Sequence, residues 1–419
     1  MKILLSAYAC EPDKGSEPGI GFRTLVALAD ENDVWLLTRS NNIESLSKFL
    51  ATDKFLGSRV RLIGLDLSKF ALRLKRLGPI GLMWYYDRWQ KKAGHLARRL
   101  DTENDFDVIH HVTLAAYWMR TGVADVSKPM IWGPVGGAVQ TPWRLMTELG
   151  IVGFLTDAAR YVGRRIFMKV NSSQKAQRKA AYIFVNNPQT AKDIRSKTES
   201  PIEVLPNPLA VIDLAAPMRG IPRPEILFAG RLLPWKGAKL AIRAMRYVAH
   251  SKAHLSIIGA GPDRQRLARL IRRWGLDQKV ALVGSLPRAE VLRRMGESGV
   301  LIHPALHEEG GNVVAEALGM GVPVVCLDHG GPSQTTQQFL EVPSIAVVPT
   351  TPRETARSLG RAIDAILENA VPRTGKTFMP TTNFADRVLR AAKSVATGQA
   401  DLLGQSHSSD RVARDRLSP

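Results

Sequence analysis

The stretch from Leu301 to Pro332, LIHPALHEEGGNVVAEALGMGVPVVCLDHGGP, constrains the fold more than any other part of the chain. An apolar run stops at His303-Pro304 and gives way to a glycine-rich loop. Val313–Gly319 then has helical spacing, with Val314, Ala317 and Leu318 on one side. Gly321 and Pro323 end that helix, because glycine tolerates the closing turn and proline cannot continue it. Val322–Leu327 is a β-branched run of the kind buried on both faces of a parallel sheet. Two acids frame the unit, Glu308 in the loop and Glu316 eight residues later on the helix. Gly310 and Gly311 lie between them, where backbone can approach a ligand closely.

A second element leads to this one. Glu225–Ala229 reads as a strand, followed by Gly230-Arg231-Leu232-Leu233-Pro234-Trp235-Lys236-Gly237 and a helix over 238–249. Arg231 and Lys236 bracket a turn just before a helix N-terminus, which suits a diphosphate. The spacing of Glu308 and Glu316 ahead of G-x-P-V-V resembles the C-terminal donor site of glycosyltransferase family 4, a retaining, nucleotide-sugar-dependent family with the GT-B fold. The run G-R-x4-K-G from Gly230 to Gly237 is similar to that family's diphosphate clamp. Where the family often has E-G-F-G, this chain has Glu308-Glu309-Gly310-Gly311, and the first acid and last glycine keep their places.

Composition sets bounds on these readings. A chain of 419 residues accommodates two domains, and 45% hydrophobic with 23% charged residues is ordinary for a globular protein. Cys10 and Cys326 have no metal-ligand spacing, so no disulfide and a reducing cytoplasm are expected. MKILLSAYAC is too short in its apolar part for a signal peptide and reads as a first strand. No apolar run approaches the ~20 residues that span a bilayer. Lys+Arg 58 against Asp+Glu 38 gives +20, which favours polyanionic partners.

Along the chain, Lys2–Ala9 is a strand, Cys10–Gly21 a glycine loop with Gly15, Gly19 and Gly21, and Phe22–Ala29 a helix. Such a loop is either an anion site at a helix N-terminus or a turn that needs glycine only for its backbone. Between Lys69 and Leu100 there are nine Lys/Arg and one acid, Asp87, around Trp84, Tyr85, Tyr86 and Trp89. This pattern fits a helix lying on an anionic membrane, or a core helix with a basic exposed face. Residues 160–179 add seven Lys/Arg and no acid. Interleaved basic and aromatic residues also suit single-stranded nucleic acid, but no recognisable nucleic-acid motif accompanies them, and no nucleic acid is expected. Asp107–His111 closes a strand, and adjacent strand residues point to opposite faces, so one of His110 and His111 is expected to face the ligand. His111 is favoured. Residues 129–139, PMIWGPVGGAV, read as a strand and a second glycine loop, and Gly330-Gly331-Pro332 as a further turn.

The resemblance implies an α/β protein with two Rossmann-like doubly wound domains facing a central cleft. The expected division is an acceptor-binding domain over 1–205, a nucleotide-sugar domain over 206–380, a helix over 381–398 that crosses back to the first domain, and a disordered tail over 399–419. It implies catalytic roles for Glu308, His111, Arg231 and Lys236. Donor binding falls on Gly15, Gly230, Arg231, Lys236, Gly259, Gly310, Gly311, Asn312, Val313 and Glu316. Arg231 and Lys236 would stabilise the leaving phosphate without a metal or other cofactor. The expected partners are a nucleoside-diphosphate sugar, a glycan or lipid-linked acceptor of surface-glycan synthesis, and an anionic membrane surface through 69–99 and 160–179. Three other readings share parts of this pattern: a nucleotide-sugar epimerase or hydrolase, a non-catalytic GT-B protein that binds glycan or membrane, and a nucleic-acid binder suggested by charge alone.

Overall fold

The structure, a computed structural model, describes residues 1–12, 14–170, 173–207 and 219–399. Its described residues fall into two units. The first holds 1–137, 165–207 and 383–399; the second holds 138–164 and 219–382.

Seven parallel strands form the sheet of the first unit: β1 (Lys2–Ala7), β2 (Asp33–Thr38), β3 (Val60–Gly64), β4 (Val108–Val112), β5 (Met130–Val135), β6 (Ala180–Val185) and β7 (Ile202–Val204). Their order is β3-β2-β1-β4-β5-β6-β7. Beyond β8 (Arg219–Gly220), the second unit has a six-stranded parallel sheet: β9 (Arg223–Ala229), β10 (His254–Ile258), β11 (Val280–Gly284), β12 (Ser298–His303), β13 (Val324–Leu327) and β14 (Ser344–Val347). The order here is β11-β10-β9-β12-β13-β14, and β8 pairs apart with β15 (Arg373–Thr374). In each sheet the chain winds outward in one direction and then returns to start again beside its first strand. The reversal lies between β1 and β4 in the first sheet and between β9 and β12 in the second. Loops leaving the carboxyl ends of two such strands diverge, and ligands of open α/β sheets bind there.

Period-2 alternation builds the core of the second unit. Ile226, Phe228, Val300 and Ile302 pack into one buried cluster, while Leu227, Ala229 and Leu301 pack into another on the opposite face. The core of the first unit collects Ile3, Leu5, Val34, Leu36, Ile131 and Phe184. The helix Phe384–Thr397 adds Val388, Leu389, Ala391 and Ala392 to it, and Arg387 donates to Glu203 at 2.7 Å.

Several expectations are corrected. Residues 138–164, assigned by sequence to the first domain, pack with the second unit because Leu145 and Leu149 are fully buried in its core. Glu148 is buried with them and accepts from Arg243 at 2.9 Å, with Lys239 at 3.5 Å. The first helix begins at Ser16 rather than Phe22. Gly19 and Gly21 therefore sit inside it, where a Cβ would come within 2.1 Å of the Lys14 carbonyl oxygen and 2.2 Å of the Ala9 carbonyl oxygen. They serve close packing rather than a loop. Gly133 belongs to β5, and Gly330-Gly331-Pro332 opens the helix Gly330–Thr336 instead of forming a turn. The expected domain boundary at 205–206 lies just before residues 208–218, which are outside the described ones, and the expected tail beyond 399 lies wholly outside them.

The aromatic run is divided. Tyr85, Tyr86 and Trp89 of the helix Pro79–Asn104 are buried, whereas Trp84 is exposed. Among the described residues no helix is long and apolar enough to cross a membrane.

Leu149→Ala should lower the stability of the second unit by about 2–5 kcal/mol in urea denaturation, the usual cost of emptying a core leucine site. Ile151, two residues on and 81% exposed, should change it by less than ~0.5 kcal/mol when replaced by alanine.

Candidate donor-binding site

At the reversal of the second sheet, two loops are locked together backbone to backbone. Gly230 leaves β9 and its N–H donates to the Ile258 carbonyl at 3.0 Å. Gly259 follows β10 at φ 143°, and a Cβ there would lie 1.9 Å from the Gly230 carbonyl oxygen. Only glycine meets both demands. After the short 3-10 turn Pro234–Lys236, Gly237 adopts φ 81° against the Pro304 carbonyl, 1.9 Å from where a Cβ would stand. The Leu306 N–H then donates to the Trp235 carbonyl at 2.8 Å. The loop after β9 is thus fastened to the loop after β12.

The consequence is electrostatic. Lys236 Nζ contacts the Glu308 carboxylate, with both side chains mostly shielded from water. His303, at the end of β12, stacks on Phe228 and places Nε2 3.7 Å from Glu308 Oε2, beyond hydrogen-bond distance. Burial alone would raise the Glu308 pKa, but His303 and Lys236 outweigh it and hold the carboxyl at about 2. Arg231 is exposed in the loop that carries Lys236.

Glu316 lies on the helix Asn312–Gly319, whose first residues are Asn312 and Val313, and accepts from Arg288 at 2.9 Å. Gly311 caps that helix, and a Cβ on it would meet Thr335 Oγ1 at 2.3 Å. The Gly331 N–H donates to the Glu308 carbonyl at 3.0 Å, and a Cβ on Gly331 would lie 2.3 Å from the Glu309 carbonyl oxygen. The paired glycines at 330–331 therefore hold the backbone of the Glu308 loop, a role that the sequence reading did not give them.

The departure at Glu309 has a structural cause. Its Oε1 accepts from the Val139 N–H at 3.0 Å, which ties the segment 138–164 to the loop. His329 Nε2 meets the Gln140 carbonyl at 2.8 Å, and His307 lies 3.7 Å from Asp157 and 3.9 Å from Glu309. Arg160, read from sequence as part of a basic membrane run, stacks 3.8 Å above the Trp235 ring centroid. Its charge interacts with those of Asp157 and Arg231. Asp157, Arg160, His303, His307, Glu309 and His329 were all missed as site residues. For Asp157 and Arg160 no sequence signal existed, because their segment was assigned to the other domain.

Gly15 and His111 belong to the first unit. Gly15 caps the first helix in extended backbone, at φ −79°. Both strand histidines are fully buried: His110 Nε2 meets the Gly133 carbonyl at 2.8 Å, and His111 Nδ1 meets Ser6 Oγ at 3.2 Å. Burial, with His110 alongside, pushes the His111 pKa down to about 3, so its ring is neutral at physiological pH.

Two parallel, doubly wound α/β units give the chain the GT-B architecture. Residues 220–374, within the second unit, match the family described as glycosyl transferases group 1. The chain is 26% identical to the 2-deoxystreptamine glucosyltransferase of Streptomyces kanamyceticus, over 70% of each chain. It is 30% identical to the 2-deoxystreptamine N-acetyl-D-glucosaminyltransferase of Streptomyces fradiae over 46% of this chain and 42% of that one. Over 26% of its length it is 34% identical to 27% of a GDP-mannose-dependent alpha-mannosyltransferase of Mycolicibacterium smegmatis. Among solved structures, Anabaena Alr3699/HepE in complex with UDP superposes over 98% of this chain and 100% of its own, at TM-score 0.53 and 16% identity. TarM does so over 96% and 98%, at TM-score 0.56 and 10% identity. At such identities the likeness is one of fold.

A carboxyl held low stabilises the folded state above its ordinary pKa and loses that contribution as pH falls toward the folded value. The stability difference between wild type and Glu308→Gln should therefore be constant above pH ~5 and shrink between about 4.5 and about 2, followed by chemical denaturation across that range.

Proposed function

We propose that the protein transfers a hexosyl group, with retention at the anomeric carbon, from a nucleoside-diphosphate sugar to a glycan or lipid-linked acceptor. The observation that carries this reading is the contact of Lys236 with Glu308, the clamp cation and the first acid of the E-x7-E pair. When the bond from the anomeric carbon to the phosphate oxygen breaks, negative charge grows on the diphosphate. Arg231 and Lys236 neutralise it, with no metal needed in the step. The acceptor hydroxyl then bonds to the anomeric carbon on the face that the phosphate leaves, and its proton passes to the departing phosphate oxygen. Glu308 is assigned the hydroxyls of the transferred sugar and Glu316 the donor ribose. Gly230, Gly259, Gly310, Gly311, Asn312 and Val313 of the second unit are assigned to the donor, and so, from the first unit, is Gly15. His111, neutral in its buried strand, is assigned the reacting sugar.

UDP and UDP-glucose, the ligands of the HepE structures, supply the first donor candidates. GDP-linked sugars are the second, by the partial relative that uses GDP-mannose. A place in surface-glycan synthesis at the inner face of the membrane fits the first unit. Phe70, Leu77, Ile80 and Trp84 are exposed there, among Lys69, Arg73, Lys75, Arg76 and Arg88. Each such cation adds roughly 1 kcal/mol beside an anionic surface.

Thermal shift with nucleoside diphosphates and their sugars tests the donor site. A ligand at 100 times its Kd should stabilise by about 2.7 kcal/mol. The shift should appear with one base, persist in chelator and vanish in Lys236→Ala, whose turnover should fall by roughly 10²–10³. No shift with any nucleotide, or a shift that needs a metal, contradicts the reading. Binding to anionic vesicles at low salt tests the membrane assignment, and failure to bind removes it.

A further inference from the structure

The carboxyl ends of β1, β2 and β3 in the first unit converge on a charged aromatic corner that the donor chemistry does not use. Tyr8 follows β1, Arg39 follows β2, and Asp66 lies two residues beyond β3. Lys75 closes the helix Lys69–Lys75, and Tyr85 and Trp89 come from the helix Pro79–Asn104. The rings pack edge to face, with Tyr8 centred 5.1 Å from Trp89 and 6.5 Å from Tyr85. Two cations share them: Arg39 lies 5.4 Å from the Tyr8 centroid and 5.9 Å from that of Tyr85, and Lys75 lies 5.5 Å and 5.4 Å from the same two.

The charges do not balance. Arg39 pairs with Asp66 at 3.3 Å, and the same carboxylate oxygen accepts from Tyr85 Oη at 3.0 Å. Lys92 approaches the Asp66 backbone carbonyl at 3.0 Å, which adds a third cation. Among the described residues no carboxylate lies within ion-pair distance of Lys75, whose contacts are the two ring faces. Burial and the neighbouring Arg39 push its pKa down, and the charge of Asp66, already paired with Arg39, pulls against them without reversing the shift. Tyr8 Oη, also buried, has no hydrogen-bond partner there. A half-buried site that gathers two cations over aromatic faces against one committed carboxylate is built for an anion.

We propose that Arg39 and Lys75 bind a phosphate or diphosphate group carried by the sugar acceptor. The proposal rests on the glycosyltransferase reading above and deepens it, because it assigns the acceptor a charge. A cationic aminocyclitol would be repelled at this corner. The exposed Phe70, Leu77, Ile80 and Trp84 of the two adjoining helices give a lipid chain attached to that phosphate an apolar surface to follow.

The test is a titration of the full chain with three probes, in saturating nucleoside diphosphate so that the donor site is filled. The probes are farnesyl-diphospho-glucose, glucose 1-phosphate and the neutral octyl glucoside. The first two should bind at least about tenfold more tightly than the third. Lys75→Gln and Arg39→Gln should each abolish most of that preference and leave nucleoside-diphosphate affinity unchanged. Asp66→Asn, which removes the competing carboxylate, should strengthen anion binding, an effect that loss of structure does not produce. Tighter binding of the farnesyl probe than of glucose 1-phosphate assigns the phosphate to a lipid carrier; equal binding assigns it to a soluble sugar phosphate. Anionic probes that bind no better than octyl glucoside, or equally well to Lys75→Gln, overturn the proposal. If wild type binds no nucleoside diphosphate at all, the donor reading fails instead, and that outcome is read separately from the probe preference.

Discussion

The donor site depends on one packing constraint, the backbone contact between the loop after β9 and its neighbours. Gly259 touches the Gly230 carbonyl, and Gly237 touches the Pro304 carbonyl. With no Cβ in the way, the two loops at the sheet reversal close to hydrogen-bond distance, and Lys236 reaches Glu308. Any larger residue at 237 or 259 would drive the loops apart and separate the charges. The glycines are thus as much a part of the electrostatics as the ionised groups.

Charge is distributed with a purpose that the total of +20 does not convey. In the second unit, cations are committed: Lys236 to Glu308, Arg288 to Glu316, Arg243 and Lys239 to the buried Glu148. On the proposed reading, a phosphate that enters the donor site exchanges one anion for another around Lys236. In the first unit, the Asp66 carboxylate pairs with Arg39, and Lys75 lies over two ring faces with no ion pair of its own among the described residues. Where cations are matched, they position; where they exceed their partners, they leave attraction for a ligand.

Much of this was legible in the sequence, and the physical reasons are specific. The run from Leu301 to Pro332 shows its strand, loop, helix and strand because each has its own periodicity and its own stop signal. Arg231 and Lys236 stand five residues apart and Glu308 and Glu316 eight, so each pair could be proposed from its spacing within one unit. The segment 138–164 was not. Its Leu145 and Leu149 look like any apolar pair in sequence, and only long-range packing reveals that they bury themselves in the other unit. Glu309 looked like a departure from a motif because its partner, the Val139 N–H, is 170 residues away. Tyr85, Tyr86 and Trp89 were ambiguous because a core stripe and a membrane face have the same composition, and burial decides between them. The helix start at Ser16 was missed because glycines at 19 and 21 argue against helix on propensity, and close packing overrides propensity.

The central claim is that Glu308 holds Lys236 until a diphosphate takes its place, and titration calorimetry of Glu308→Gln with the nucleoside diphosphate that binds wild type tests it most directly. Freed from its carboxylate, Lys236 should bind the diphosphate at least as tightly as in wild type, while transfer of the sugar is lost. If Glu308→Gln instead weakens the nucleoside diphosphate as severely as Lys236→Ala does, the two residues act as one structural unit and the exchange does not occur.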